Sequence, residues 1–189
     1  MEDTAHINLT GQLLIAMPMM LDPNFHQTVT YICEHSDQGA LGLIINRPLD
    51  MDLAEVFEQL ALGKPDRRFA NSPVLRGGPV QVERGFVLHE SDQDWDSTVN
   101  VANSIHVTTS QDILSSIADG SGPDRALVAL GYAGWNAGQL ESEITANTWL
   151  NAPASPQIIF DIPFEERWHE ATALLGIDLA NLSSEAGHA

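Results

Sequence analysis

Three groups of residues in this 189-residue chain have the types and spacing to do chemistry. Cys33, Glu34 and His35 place a thiol and an imidazole in one tripeptide. On a strand, positions 33 and 35 share a face, an arrangement that suits a reactive thiolate or half of a metal site. Two ligands fall short of the three or four that zinc takes, and no C-x-x-C or H-x-x-x-H accompanies them, so no metal is expected. A buried structural cysteine beside a surface histidine fits the same residues. Arg76-Gly77-Gly78-Pro79 sets two flexible amides beside a guanidinium, and Arg47 or Arg84 could converge on it to grip a carboxylate or phosphate. A turn between strands with solvated arginines has the same sequence. The run from Gly131 to Gly138, with Gly134, Trp135 and Asn136 inside it, reads as leaving a strand and entering a helix, where backbone donors and the positive helix end hold anions. It lacks both G-x-G-x-x-G and the lysine of a phosphate loop, so it implies no nucleotide and no cofactor. Glycines there equally permit close strand-to-helix packing around a buried Trp135.

Other patterns carry less. Asp92, Asp94 and Asp96 begin like a calcium loop, but Ser97 stands where glycine is required and Asn103 where a bidentate glutamate is required. His89-x-Ser91 and Gly120-Ser121-Gly122 suggest a serine hydrolase, yet no G-x-S-x-G elbow occurs. His6, His26, His106, His169 and His188 have no partner in sequence and read as structural or solvated. No convergent set of acid, base and nucleophile emerges, so the sequence leans away from an enzyme.

The elements that must position these residues are short and mixed. Leu9 to Ala16 reads as a strand, and Met17-Pro18 with Asp22-Pro23 forces a non-helical link after it. Thr28 to Glu34 alternates with Val29, Tyr31 and Cys33 on one face, and Ala40 to Asn46 is continuously apolar; Ser36 to Gly39 makes the two a hairpin. Asp52 with Glu55 opens a helix over 52–62. Short strands follow at Val80 to Val82, Gly85 to His89 and Ser104 to Thr108. Thr109 with Asp112 caps a second helix that ends at Gly120, with Ile113, Leu114 and Ile117 inward. Arg125 to Tyr132 should be a central strand covered on both faces. Asn136 then caps a third helix carrying Leu140, Ile144 and Trp149. Ile158 to Phe160 reads as a last strand, and Pro163 opens a final helix with Phe164, Trp168, Ala171 and Leu175 on one stripe, closed by Gly176. Strands and helices that mix without strict alternation predict an α+β fold.

Hydrophobic residues at 43% and charged ones at 18% are a globular balance, and the length suits one domain, residues 1–189. The longest apolar runs fall far below the roughly 20 residues of a membrane span. Glu2 and Asp3 stand where a secretory leader would be basic, and a lone cysteine, Cys33, suits a reducing compartment, so a cytoplasmic place away from membranes is expected. With 26 acidic residues against 8 basic, the formal net charge is −18. A surface of that sign repels a phosphate backbone and speaks against direct nucleic-acid binding. Six of the basic residues lie in 47–84 among six acids; everything after carries fifteen acids and two arginines.

Six separated strings occur in one order: GQLLIAMP at 11–18, YICEH at 31–35, GALGLIINRP at 39–48, RGGPV at 76–80, GFVLH at 85–89 and LVALGYAGWNAGQLESEI at 127–144. With NTWL at 147–150, ERW at 166–168 and LSSEAGHA at 182–189, the chain resembles the AlgH/YqgE family over nearly its whole length. The resemblance implies an α+β domain with a mixed, barrel-like sheet flanked by about four helices. It implies no agreed catalytic activity. Members carry a transcriptional-regulator label from an association with exopolysaccharide gene control, and the acidic charge makes that role indirect for this chain. The expectation is therefore a non-catalytic binding or interaction module that holds a small anion or a protein partner near Arg47, Arg76 to Gly78 and Gly131 to Gly138. The alternatives are a thiol-based enzyme or redox protein using Cys33 and His35, and a regulator that contacts DNA.

Overall fold

The computed structural model describes residues 7–177. In chain order these form β1 (Gln12–Ala16), β2 (Val29–Ser36), β3 (Gly39–Ile44), β4 (Pro48–Asp52), α1 (Leu53–Gln59), β5 (Pro73–Arg76), β6 (Val80–Glu90), β7 (Thr98–Ala102), β8 (Ile105–Thr108), α2 (Asp112–Asp119), β9 (Arg125–Asn136), α3 (Gln139–Thr145), β10 (Trp149–Pro153) and α4 (Arg167–Ala173). The strands make one hydrogen-bonded sheet in the order β10-β1-β2-β3-β9-β6-β8-β7, with β5 on β9 and β4 on β5. Only β5 runs parallel to its neighbour β9; every other pair is antiparallel. The sheet curls into a half-barrel, the α+β architecture expected. Among the described residues, no helix is long and apolar enough to cross a membrane.

β9 joins the two halves of the sheet. Its first residues pair with β6 along one edge, its middle with β5 along the other, and its end, Ala133 to Asn136, with β3. Gly131 is where it changes partners. There φ is +76°, a conformation costly for any side chain, and β6 skips from Val80 to Gly85 while β9 moves only from Tyr132 to Leu130. The strands predicted at 80–82 and 85–89 are thus one strand with a bulge. At its centre β9 is covered on both faces, with Leu127 on the core that includes Trp168 and Val128 on the core that includes α2.

Local signals held where the chemistry was local. Asp52 and Glu55 exchange both bonds of a capping box at α1, and Gly120 ends α2 in the left-handed region with Ile113, Leu114 and Ile117 buried. Five corrections follow. β4, β5, β7 and β10 have no counterpart among the strands expected from sequence. Trp149 starts β10 instead of extending α3, because Asn147 takes φ +58° and stops the helix. Asn136 is still strand, and α3 is capped by Gly138. Ile158 to Phe160 lies in a π-helical turn, Gln157–Asp161, closed by Ile162 N–H donating to the Gln157 carbonyl; three apolar residues alone cannot separate strand from buried helix. Thr109 does not cap α2, whose N-cap is Gln111 without a side-chain bond. The last helix opens with a short 3-10 turn, Phe164–Glu166, before α4, and buries Trp168 and Ala171 as expected.

Candidate functional site

β5 follows β9 for only two register pairs, Leu75 with Ala129 and Arg76 with Leu130. Toward the start of β9 the two chains diverge and leave a cleft of about 550 Å³, closed on its far side by the Gln157–Asp161 turn and the residues leading into α4. Its apolar floor comes from Leu53, Phe69, Ile117, Phe160 and Phe164. Four arginines line it: Arg67, Arg68, Arg125 and Arg167, half of the basic residues in the whole sequence, against the carboxylates of Asp124 and Asp161.

These arginines are not equally satisfied. Arg68 is consumed by its neighbours, with Asp66 accepting from Nε and Nη2 at 3.2 and 2.9 Å and Asp124 accepting from Nη1 at 2.8 Å. The Arg68 backbone N–H, donated to Asp66, and then these side-chain bonds hold Asp66 below the usual carboxylate range, and the bond to Asp66 pushes Arg68 up. Arg125 leans on Asp161 at 3.2 Å and more loosely on Glu90 at 3.8 Å. Arg167 is different. It is 2% exposed, donates Nε to the Ile162 carbonyl at 2.8 Å and Nη1 to the Ile45 carbonyl at 2.6 Å, and lays its guanidinium over the Phe164 ring at 4.2 Å. Burial pulls its pKa down to about 10, partly opposed by Asp161, so it stays charged at neutral pH. Among the described residues no carboxylate comes within 4.0 Å of Arg167 or of Arg67.

The residues singled out from sequence lie elsewhere. Gly77, Gly78 and Gly131 do meet, but as a backbone seam. Gly77 N–H donates to the Leu130 carbonyl, its own carbonyl accepts from Ile44 N–H, and a Cβ on Gly78 would stand 2.0 Å from the Tyr132 carbonyl carbon. Of the amides expected to hold an anion, that of Gly77 is spent on this packing, that of Asn136 is given to the Gln139 side chain, and Ala133 to Asn136 pair with β3. Arg47 donates to the carbonyls of Pro23, Asn24 and His26, each at 2.8 Å, and so fastens the loop between β1 and β2. Arg76 is exposed, and Arg84 lies over the Phe86 ring at 5.1 Å. Gly134 and Asn136 are exposed on β9, and Gly138 caps α3 without a neighbour that a Cβ would meet. Trp135 is buried, its indole N–H shared with that of Trp149 on one Glu143 oxygen, at 2.8 and 2.9 Å.

Cys33 and His35 do not share a face. A register shift between Ile32 and Glu34 inserts one residue, and the period-2 alternation breaks there. Cys33 packs on the core containing Tyr31 and Trp168, and burial, then the neighbouring Glu34, push its thiol pKa up, away from a thiolate. His35 turns toward α3. Its Nδ1 accepts from Leu9 N–H at 3.0 Å, so Nε2 carries the proton and donates to Glu141 at 2.8 Å.

One buried cluster of titratable groups lies apart from all of these. His89 and His106 are register partners on β6 and β8 and stack at 5.5 Å. Nε2 of His89 shares a hydrogen bond of 2.7 Å with Thr108 Oγ1, and the ring meets Trp95 edge-on. Burial first and His106 second pull the pKa of His89 down to about 4, with Asp94 opposing. Ser91 makes no pair with it, since its hydroxyl accepts from Gln93 N–H.

A family model described as AlgH-like matches residues 13–180. The chain belongs to the AlgH family. Its relatives include a UPF0301 protein of Azoarcus, 57% identical over 99% of this chain and 100% of that one, and a UPF0301 protein of Thiobacillus denitrificans, 54% identical over 97% and 99%. The solution structure of the AlgH protein from Pseudomonas aeruginosa superposes with a TM-score of 0.78 at 51% identity, covering both chains fully. A crystal structure from Corynebacterium diphtheriae, at 22% identity and TM-score 0.72 over 90% of this chain and 89% of that one, shares the fold. In this AlgH-family chain the arginine cleft was missed from sequence although a signal existed. After position 84 only Arg125 and Arg167 interrupt an acidic stretch, and both reach the cleft.

Proposed function

We propose that this protein is a non-catalytic binding module whose arginine cleft holds a small anionic ligand. The observation that supports the reading is Arg167, a buried cation bonded to carbonyl oxygens and facing a cavity lined by three more arginines. Burying a charge without an opposite charge is costly, and an anion entering the cleft offsets that cost. A cleft of about 550 Å³ suits a metabolite-sized molecule, and an apolar floor with few polar groups is the usual composition of such sites. A regulatory role through a bound ligand or protein partner is compatible with it, whereas DNA contact would need a basic stripe on the surface in place of a recessed pocket. The acidic surface and single cysteine support a cytoplasmic place.

Thermal denaturation in inorganic phosphate, pyrophosphate and succinate tests this. A ligand at about 100 times its Kd adds about 2.7 kcal/mol of stability. Arg167→Met should remove that gain. A melting temperature unmoved by all three anions, or moved equally in the variant, rules out the cleft as an anion site.

A further inference from the structure

The cleft offers more than charge. Arg125, Ala126, Leu127 and Val128 all line it, four consecutive residues of one strand. Side chains of a strand alternate between faces, so four in a row meet one cavity only when it runs along the strand's edge. On their other edge these residues pair with β6, from Val87 opposite Val128 to Glu90 opposite Arg125. On the cleft edge no β5 or β3 register pair reaches these residues: the β5 pairs end with Leu75 opposite Ala129, which turns the Leu75 N–H to the Val128 carbonyl, and the β3 pairs begin at Ala133. Pro73 supplies the reason. Continued in register, it would stand opposite Leu127, where it has no N–H to donate, and the Ser72 carbonyl already accepts from Leu53 N–H.

The direction of the unpaired groups follows from the register. The Leu130 carbonyl accepts from Gly77 N–H at 2.8 Å, so Leu130 turns its backbone groups toward the β5 side. Pairing with β6 is regular from Leu130 to Arg125, and alternation then turns Val128 and Ala126 the same way. Ala126 therefore aims both N–H and C=O into a cavity whose walls carry the arginines. An open edge of this kind is a template for one more strand.

We infer that β9 takes up an extended acidic peptide along Arg125–Val128, added as a further strand, with its carboxylates set against Arg67 and Arg167. This rests on the anion-binding reading of the same cleft and names its occupant. Four residues of edge span about 13 Å, room for a segment of about four residues. Its backbone would satisfy Ala126, and its acids would meet cations that no carboxylate of the described residues approaches within 4.0 Å.

The test uses the whole chain, labelled with nitrogen-15, and four probes: the peptide Ac-Glu-Val-Glu-Val-NH2, the same peptide N-methylated at every peptide bond, its glutamine counterpart, and inorganic phosphate. The acidic peptide should slow hydrogen exchange of the Ala126 and Val128 amides at least tenfold, and the methylated and glutamine peptides should each bind at least tenfold more weakly. Unchanged exchange at Ala126, or equal binding of the methylated peptide, overturns the inference. If phosphate alone still shifts the Arg67 and Arg167 guanidinium signals, the anion site stands and the strand addition falls. If no probe shifts them, both fall.

Discussion

The glycine seam and the arginine cleft contain the same ingredients, backbone amides and guanidinium groups, and differ in whether those groups are already used. At the seam Gly77, Gly78 and Gly131 let two backbones touch, and the amides of Arg76 and Gly77 are given to the carbonyls of Arg47 and Leu130 of the same molecule. In the cleft, Pro73 parts two strands and leaves β9 with an open edge, while Arg167 finds carbonyl partners but no carboxylate. Capacity to bind is thus a residue of incomplete pairing. Residue type alone does not supply it.

The harshest break of this comparison is Gly131→Ala. A Cβ would stand 2.5 Å from the Gly78 carbonyl oxygen at a φ of +76°, so strain and overpacking act together and should cost about 3–4 kcal/mol. Urea denaturation reads this directly; a loss under about 1 kcal/mol would mean that the seam yields and is less tightly spent than its geometry says. The next effect concerns a buried base that, unlike Arg167, gives up its proton. The folded chain keeps His89 neutral down to about pH 4, while the unfolded chain binds the proton near 6.5. Between these values the unfolded state holds more protons, so the stability from His89 is complete above about pH 6.5 and is lost as pH falls toward 4, about 3 kcal/mol in all. His89→Gln should flatten that slope in stability measured at stepped pH. The ring faces His106, Thr108 and Trp95 with Asp94 nearby, and none of these belongs to the cleft, so phosphate binding should survive the substitution.

Much of the scaffold was legible because its signals are local. The capping box at Asp52 and Glu55, the hairpin through Ser36 to Gly39 and the helix stop at Gly120 each depend on a few adjacent residues. The site was harder for a physical reason. A single inserted residue between Ile32 and Glu34 turned His35 away from Cys33, and no feature of YICEH announces a bulge. Glycine runs look alike whether they cradle a ligand or another stretch of backbone; only the partner, Gly78 against Tyr132, tells them apart. Arg67 and Arg167 are 100 positions apart and line one cleft because the 3-10 turn Arg67–Phe69 before β5 and the start of α4 both border the first residues of β9. What could have been read was the rarity of Arg125 and Arg167, since an arginine kept in an acidic stretch invites the question of what it faces.

Arg67→Ala is the gentlest probe and separates binding from folding most cleanly. The side chain is exposed and makes no ion pair among the described residues, so its loss should change stability by no more than about 0.5 kcal/mol. An exposed charge contributes about 1 kcal/mol to a bound anion, which corresponds to about fivefold in Kd. Calorimetric titration with phosphate at low salt should therefore show weaker binding by that factor with an unchanged melting temperature, and added salt should shrink the difference because the contact is solvent-screened. Arg76→Ala on the glycine seam supplies the contrast: it removes an equally exposed cation that lies outside the cleft, so phosphate affinity should stay within about twofold. Equal losses from both substitutions would show that phosphate responds to the overall charge of the molecule, and the distinction between a spent region and an open one would then have no bearing on binding.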